Sequence, residues 1–225
     1  MTETLWTAVD HYIDGMLVPA DAALDAAIET SNAAGLPPIA VTPSQGKLLH
    51  LLARIQGARN ILEIGTLGGY STIWLARALP AGGRLITIEA DRKYAEIARA
   101  NILRAGGLGG LVELRVGLAL EVLPRVAAEG GGAFDLTFID ADKKNIPAYF
   151  AFALKLSRRG SVIIVDNVVR DGRVIDALSS DPDILGIRRF NDMLAAEPRV
   201  SATAIQTVGA KGHDGFAIAL VTGDL

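Results

Sequence analysis

The stretch Asn60-Ile-Leu-Glu-Ile-Gly65-Thr-Leu-Gly-Gly-Tyr-Ser71 decides the fold class, because a short apolar run leads through a glycine-rich loop into a helical pattern. Four further apolar runs alternate with helical stretches after it, at residues 84–88, 111–116, 134–139 and 161–165. Most of these runs are apolar on both faces, as strands inside a parallel sheet are. The alternation predicts an α/β fold built on a doubly wound, mostly parallel sheet.

Both ends of the chain add to this pattern. Residues 202–208 and 216–222 predict two more strands with a hairpin-like connection at 209–215, so we expect seven strands, with the last one antiparallel in a pair at the sheet edge. Residues 1–40 predict a helical appendage, because apolar positions recur at three- and four-residue steps. We expect residues 1–225 to form a single domain.

The composition excludes several classes of protein. Of the 225 residues, 50% are hydrophobic and 21% are charged, which excludes a disordered chain. The sequence has no apolar run of about 18 residues that could span a membrane. It also has no visible secretory signal and no cysteine, so we expect a cytoplasmic protein. The formal net charge of −3 argues against a nucleic-acid partner.

Ligands of such sheets bind outside the carboxyl ends of the strands. The loop that begins at Gly65 has the spacing G-x-x-G-G and lacks the dinucleotide fingerprint, which disfavours a nicotinamide-dependent oxidoreductase. Gly65 would allow a ligand close to the backbone, whereas Ser71 is either a ligand contact or a helix N-cap. Glu89 is either an exposed carboxylate at a strand end or an acceptor for a ribose diol; with the glycine-rich loop it favours an adenosine-containing ligand.

Two other strand ends carry oxygen-bearing side chains. Asp140 follows one strand, and Asp166 and Asn167 follow the next. The Asp166-Asn167 pair alone would indicate a turn, but two strand ends that converge on one cleft favour a hard divalent cation. Lys143 follows Asp140 by three residues, so its amine could return to the same cleft as a general base.

Taken together, these motifs resemble the cation-dependent class I O-methyltransferases, which include catechol and caffeoyl-CoA O-methyltransferases. The segments that carry the resemblance are Glu63–Ser71, Ile88–Asp91, Phe138–Lys143, Val165–Asn167 and Lys211–Ala219. The resemblance covers roughly residues 8–223. It implies a Rossmann-like class I methyltransferase fold, S-adenosylmethionine as methyl donor, and a divalent cation, Mg²⁺ before Mn²⁺ or Ca²⁺. It also implies a homodimer.

The resemblance assigns roles by position. It implies that the donor is bound by Val41, Thr42, Glu63, Gly65, Ser71, Glu89, Ala119, Asp140 and Asp142. Within that set, Glu63 would support the glycine-rich loop, Glu89 would take the ribose hydroxyls and Ala119 would lie against the adenine. Val41 and Thr42 would close over the donor. The implied metal ligands are Asp140, Asp166 and Asn167, and the implied catalytic residues are Lys143 and Asp140.

The implied acceptor is a small vicinal diphenol, such as a catechol, a hydroxycinnamate or a flavonoid. The cation would bind its two oxygens and acidify the reacting hydroxyl, Lys143 would remove the proton, and the phenolate would attack the sulfonium methyl in line. Asp142 stands where animal catechol enzymes have an aromatic residue that gates the acceptor. Arg170 borders the expected acceptor region, where we expect a solvated side chain rather than a contact with an anionic acceptor.

One alternative function stays within the same family. Some bacterial relatives methylate a hydroxylated uridine of tRNA. The slight acidity of the chain and its 5% aromatic content disfavour that partner, because nucleic-acid binding usually requires a basic face.

Overall fold

A central sheet organises the molecule, whose computed structural model describes residues 2–223. Its seven strands are β1 (Asn60–Ile64), β2 (Arg84–Glu89), β3 (Val112–Val116), β4 (Leu136–Ile139), β5 (Val162–Asp166), β6 (Val200–Gly209) and β7 (Gly212–Val221). They lie in the order β3-β2-β1-β4-β5-β7-β6. The first five are parallel, and β7 is antiparallel to both β5 and β6. This confirms the predicted mostly parallel, seven-stranded sheet.

Helices cover both faces of the sheet. Within residues 2–223 the α-helices are α1 (Glu3–Leu17), α2 (Ala22–Ala33), α3 (Pro43–Gln56), α4 (Tyr70–Ala76), α5 (Arg92–Arg104), α6 (Ala119–Ala128), α7 (Ile146–Lys155) and α8 (Pro182–Ala196). The predicted N-terminal appendage therefore consists of α1 and α2. Residues 1, 224 and 225 of the predicted single domain lie outside the described part, and the single domain stays a prediction.

Each face of the sheet has its own apolar core. Leu62 and Ile64 of β1 point into one core, in which the rings of Phe150 and Phe190 meet edge to face at 5.3 Å. Ile61 of the same strand points into the other core. Successive side chains of a strand alternate between the faces, so a strand that is apolar throughout needs a packed layer on both sides. This is the physical reason for the doubly wound arrangement.

The last two strands are longer than the sequence predicted. The ladder between β6 and β7 continues to Gly209 opposite Gly212, so the connection is the two-residue turn Ala210-Lys211. The prediction of a connection at 209–215 was wrong because glycine and polar residues are also typical of loops. The ladder carries Lys211 to the tip of a tight hairpin.

The parallel register brings several strand ends together at one edge. Ile64 pairs with Ile139, and Ile139 pairs with Val165, so the residues that follow these strands emerge side by side. Strand order reverses between β1 and β4, and such a switch is where a crevice forms in an open sheet. No helix in residues 2–223 has the length and apolarity needed to cross a membrane.

Candidate active site

A cleft of about 1080 Å³ opens at the carboxyl ends of the strands. It is lined by the predicted site residues Val41, Thr42, Gly65, Ser71, Glu89, Ala119, Asp140, Asp142, Lys143, Asp166 and Asn167. Glu63 is the one predicted site residue that does not line it. The structure thus brings together residues from six separate regions of the chain.

Gly65 lets two strand ends approach each other closely. Its φ is +101°, and a Cβ at this position would lie 2.1 Å from the carbonyl oxygen of Asp140. Any side chain would therefore push the ends of β1 and β4 apart. Gly65 is thus needed for close backbone packing beneath the cleft, in addition to the ligand approach that the sequence predicts.

Glu63 is a buried anchor for the start of α4. Its carboxylate accepts hydrogen bonds from Ser71 Oγ at 2.6 Å, Thr72 Oγ1 at 2.5 Å and Thr87 Oγ1 at 2.7 Å. Burial raises the pKa of Glu63 to about 7, although the three hydroxyl donors oppose the shift. Ser71 is not the N-cap considered from the sequence, because Gly69 occupies that position.

Glu89 holds the glycine-rich loop from the neighbouring strand. Its Oε2 accepts the backbone N–H groups of Thr66 at 3.2 Å and Leu67 at 2.7 Å, and its Oε1 accepts that of Asp91 at 2.9 Å. It is buried, so the exposed strand-end carboxylate considered from the sequence is wrong. A carboxylate has about four acceptor positions, which leaves roughly one of them for a ligand in the cleft.

Three other residues that are predicted to bind the methyl donor lie at the beginnings of helices. Thr42 caps α3 by accepting the N–H of Gln45 at 3.2 Å, and Ala119 is the first residue of α6. Asp142 is exposed and accepts hydrogen bonds from the Tyr149 hydroxyl and from Asn145 Nδ2. These contacts fix the three residues at the cleft wall without requiring a ligand.

Lys143 and Asp140 form an ion pair on the floor of the cleft. Lys143 Nζ lies 2.7 Å from Asp140 Oδ1, and the lysine is buried. Lys143 begins a single turn of 3₁₀-helix, and α8 packs against its backbone so closely that a Cβ on Gly186 would lie 2.3 Å from the Lys143 carbonyl oxygen. The fold thus holds the amine rigidly beside the predicted metal ligands.

Asp166 is a buried carboxylate at the end of β5. Its Oδ1 accepts the N–H of Asn167 at 2.8 Å, and its Oδ2 accepts Gln45 Nε2 at 2.6 Å. Burial, followed by the nearby charge of Asp140, raises its pKa to about 7. Asn167 adopts a φ of +59°, an unusual conformation for a residue other than glycine.

The oxygen ligands at this point are few but of the right type for a hard cation. Within residues 2–223, no three His, Cys, Asp or Glu side chains are grouped as a metal site. Asp140 and Asp166 provide two carboxylates, and Asn167 can add an amide oxygen. Two carboxylates, an amide and open space for further oxygens suit an octahedral Mg²⁺.

Sequence reasoning missed two polar residues of the cleft. Gln45 lies in the first turn of α3, and Lys211 lies in the β6–β7 turn, where its Nζ donates to the Ala40 carbonyl oxygen. Each contacts a partner far away in the chain. No local pattern could have pointed to either contact.

The strand order, the glycine-rich loop and the strand-end carboxylates together define a Rossmann-like class I methyltransferase. Residues 15–219 match the family described as O-methyltransferase. The chain therefore belongs to the O-methyltransferase family, which confirms the resemblance noted in the sequence.

Individual relatives agree with this assignment. A catechol O-methyltransferase of Niastella koreensis is 52% identical over 221 residues, covering 98% of this chain and 100% of the relative. An O-methyltransferase from Bacillus cereus in complex with SAH is 60% identical with a TM-score of 0.97, covering 98% of this chain and 100% of that one. The O-methyltransferase TomG from Streptomyces achromogenes in complex with SAM is 53% identical with a TM-score of 0.96, covering 99% and 100%. The protein is an S-adenosylmethionine-dependent O-methyltransferase.

Proposed function

We propose that this enzyme methylates one hydroxyl of a small vicinal diphenol and that the reaction requires a divalent cation held by Asp140, Asp166 and Asn167. The observation that carries the proposal is the convergence of two strand-end carboxylates beside the buried amine of Lys143. The name of the Niastella koreensis relative supports the class of acceptor.

The chemistry of the ligand set supports the cation. Asp166 is buried, and Asp140 raises its pKa further, so the two carboxylates repel each other across the cleft. A divalent cation would remove this repulsion, and oxygen ligands favour Mg²⁺, with Mn²⁺ or Ca²⁺ as alternatives. When bound, it supplies a positive charge that lowers the pKa of the acceptor hydroxyl.

The methyl donor is proposed to lie along the glycine-rich loop. Glu89 lines that part of the cleft and has about one acceptor position left for a ribose hydroxyl. Ala119 would lie against the adenine, Val41 and Thr42 would close over the donor, and Asp140 or Asp142 would face its amino group. Glu63 and Ser71 would act from below by fixing the start of α4.

Lys143 is proposed to accept the proton of the reacting hydroxyl. Its amine is buried and oriented by Asp140 at 2.7 Å. A divalent cation bound beside it would repel the extra proton of the ammonium form, and the free amine would then accept the proton of the hydroxyl. The acceptor oxygen then attacks the methyl carbon, a C–O bond forms and the C–S bond of the sulfonium breaks. Alignment of donor and acceptor accounts for much of the acceleration.

Metal removal tests this function. We expect EDTA to abolish methyl transfer from radiolabelled donor to 3,4-dihydroxybenzoate and Mg²⁺ to restore it. Asp166→Ala should lower kcat/KM by about a hundredfold or more. The control is Asp192→Ala, which removes an exposed carboxylate from α8. Full activity after chelation, or full activity of Asp166→Ala, would overturn the proposal.

Removal of Lys143, the proposed general base, should act on kcat. Lys143→Gln should lower kcat by about 10²-fold or more, because general-base catalysis usually contributes that much. Lys144→Gln removes the adjacent but exposed lysine and is the matched control. Tight, salt-sensitive retention of tRNA in a filter-binding assay would instead favour the alternative nucleic-acid substrate.

We also propose a homodimer and a cytoplasmic location. Helix α1 buries none of its residues completely and exposes the large apolar side chains Leu5, Val9, Tyr12, Ile13, Met16 and Leu17. A second copy that covers this face would remove apolar surface from water. Sedimentation should give a dimer that Met16→Lys weakens, and a monomer at all concentrations would contradict this. Cell fractionation tests the location.

A further inference from the structure

Lys211 places an unpaired cation at the mouth of the cleft. It is exposed at the tip of the β6–β7 hairpin and donates a hydrogen bond to the Ala40 carbonyl oxygen. No ion pair among residues 2–223 involves it. Lys211 lines the same cleft as Asp140 and Asp166, the carboxylates beside which the acceptor would bind.

Arg170 reaches the same half of the cleft from a strained turn. Its φ is +53°, that of Asp171 is +55° and that of Gly172 is +78°. Left-handed conformations at residues other than glycine cost about 1 kcal/mol or more each and persist only where their surroundings impose them. Here Asp214 imposes the turn, because its Oδ1 accepts the N–H groups of Val169 at 3.1 Å and Arg170 at 3.0 Å.

The guanidinium of Arg170 has unused hydrogen-bonding capacity. Its Nε is buried and has no hydrogen-bond partner among the described residues. Its nearest carboxylate oxygen is Asp214 Oδ2 at 4.0 Å, the limit of an ion pair. Asp214 is already committed to backbone N–H groups through Oδ1. The Arg170 side chain lines the cleft and is 33% exposed, so the guanidinium can donate to an acceptor oxygen of a ligand there.

The two cations lie on segments that contact each other. The N–H of Asp171 donates to the His213 carbonyl oxygen at 2.9 Å, and that of Val168 donates to Gly215 at 3.0 Å. Lys211 and Arg170 both line the cleft. Arg170 follows β5, and Lys211 directly precedes β7. In the sheet, β5 and β7 lie on the opposite side of β1 from β2, whose Glu89 is expected to bind the ribose of the methyl donor. The pair therefore belongs to the acceptor half.

The charge balance of this half calls for an anionic acceptor. A divalent cation would neutralise Asp140 and Asp166, and Lys143 in its proposed role as base begins as an uncharged amine. Lys211 and Arg170 then add two positive charges, only one of which faces a carboxylate, Asp214, at 4.0 Å. A diphenol that loses one proton supplies one negative charge and leaves the site positive. Further negative charge on the acceptor would be stabilised here.

We propose that Lys211 and Arg170 form a carboxylate-binding subsite, so that the preferred acceptor is a vicinal diphenol that carries a carboxylate. This inference rests on the proposed function. It replaces the sequence-based expectation that Arg170 is a solvated side chain. Arginine suits the role because its planar fork can bind both oxygens of a carboxylate.

A matched pair of acceptors tests the subsite. 3,4-Dihydroxyphenylacetate and its amide differ in charge, while the methylene group insulates the ring hydroxyls from the difference. We expect the native enzyme to favour the acid by about tenfold or more in kcat/KM, which is the size of a charge-assisted contact. Lys211→Met and Arg170→Met should each reduce this acid-to-amide ratio at least about fivefold, chiefly through KM of the acid.

Controls separate charge from fold and from the underlying function. Lys144→Met removes a nearby exposed lysine outside the cleft and should keep the ratio. Lys211 lies on an exposed turn, so its variant keeps the test valid if Arg170→Met fails to fold. Calorimetry with SAH and Mg²⁺ should show weaker binding of the acid to Lys211→Met.

The possible outcomes differ for the two proposals. Equal kcat/KM values for acid and amide in the native enzyme, or an unchanged ratio in Lys211→Met, would overturn the subsite and leave the diphenol function intact. If neither compound is methylated, the proposed function fails. In that case calorimetry still decides the subsite, because equal binding of acid and amide by the native protein would overturn it.

Discussion

Gln45 Nε2 lies 2.6 Å from Asp166 Oδ2, so the first turn of α3 reaches across to the end of β5 and fixes a predicted metal ligand. The other oxygen of Asp166 accepts the N–H of Asn167 at 2.8 Å. The carboxylate is thus oriented from both sides. Substitution of a residue that orients a metal ligand typically weakens metal binding by about 10- to 100-fold.

Gln45→Ala should therefore weaken divalent-cation binding by about tenfold. The measurement is calorimetric titration of the SAH complex with Mg²⁺. The matched control is Gln56→Ala on the same helix, whose side chain donates to the Gly160 carbonyl oxygen at 2.5 Å instead. Equal Mg²⁺ affinity in Gln45→Ala and the native protein would show that Gln45 does not position Asp166.

The sequence was sufficient to predict the strands of the central sheet, because their apolar pattern there matches the burial of both faces of the sheet. Both faces of β1 and β4 are packed, so an apolar run such as Leu136–Ile139 permits few other interpretations. It was not sufficient for the β6–β7 hairpin. Residues such as Gly212 and Asp214 continue the ladder although their types favour turns.

The candidate site was predictable only where the chain itself orders the residues. Neighbouring parallel strands end at the same edge of the sheet, so residues at the ends of β1, β4 and β5 lie close together. This is why the sequence predicts that Gly65, Asp140 and Asp166 share one site. The contact of Gln45 with Asp166 and that of Lys211 with Ala40 depend on how α3 and the hairpin pack in three dimensions. Such contacts have no spacing that a single sequence reveals.

Glu63 should make the free energy of unfolding depend on pH. Its pKa is about 7 in the native protein against an ordinary value of 4.5, so the native state binds more protons between these values. Its contribution to stability is therefore complete below about pH 4.5 and is lost as the pH rises through about 7. Glu63→Gln cannot ionise, so it should lack this contribution.

Urea denaturation near pH 5 and near pH 8 tests this dependence. Relative to Glu63→Gln, the native protein should be less stable near pH 8 than near pH 5. Glu96→Gln removes an exposed carboxylate on α5 and serves as the control. If the native protein and Glu63→Gln differed in free energy of unfolding by the same amount at both pH values, the pKa of Glu63 would not be raised in the native state.

Asp21 should make the free energy of unfolding depend on pH in the opposite sense to Glu63, with stability lost at low pH. It caps α2 by accepting the N–H groups of Ala23 and Leu24, and it pairs at 2.6 Å with Arg77, the residue that follows α4. The hydrogen bond from Arg77 lowers the pKa of Asp21 below 3.8. The resulting stabilisation is present above pH 3.8 and is lost as the pH falls through the lowered native value.

Two substitutions separate the cap from the ion pair. Asp21→Ala removes both and should cost about 1–2 kcal/mol in denaturation at neutral pH, because a cap contributes about 1 kcal/mol and a partly exposed pair less. Asp21→Asn keeps a capping side chain and should cost less. If the two variants were equally destabilised, the cap would contribute nothing.

Gly186 should be required for activity although it lies on α8 and does not line the cleft. A Cβ there would lie 2.3 Å from the Lys143 carbonyl oxygen and 2.6 Å from the Lys144 Cα, and backbone atoms cannot move aside as a flexible side chain could. Gly186→Ala should therefore displace the turn that holds Lys143, lower kcat by about tenfold or more and destabilise the fold by about 1–3 kcal/mol, as overpacking does.

Gly15→Ala is the matched control, because Gly15 also lies within a helix but has no atom within 4 Å of the position a Cβ would take. There the added methyl group should raise stability by about 0.5–1 kcal/mol through helix propensity and leave kcat unchanged. Thermal denaturation and steady-state kinetics of both variants provide the test. If Gly186→Ala retained native kcat, close packing of α8 would not be what positions the base.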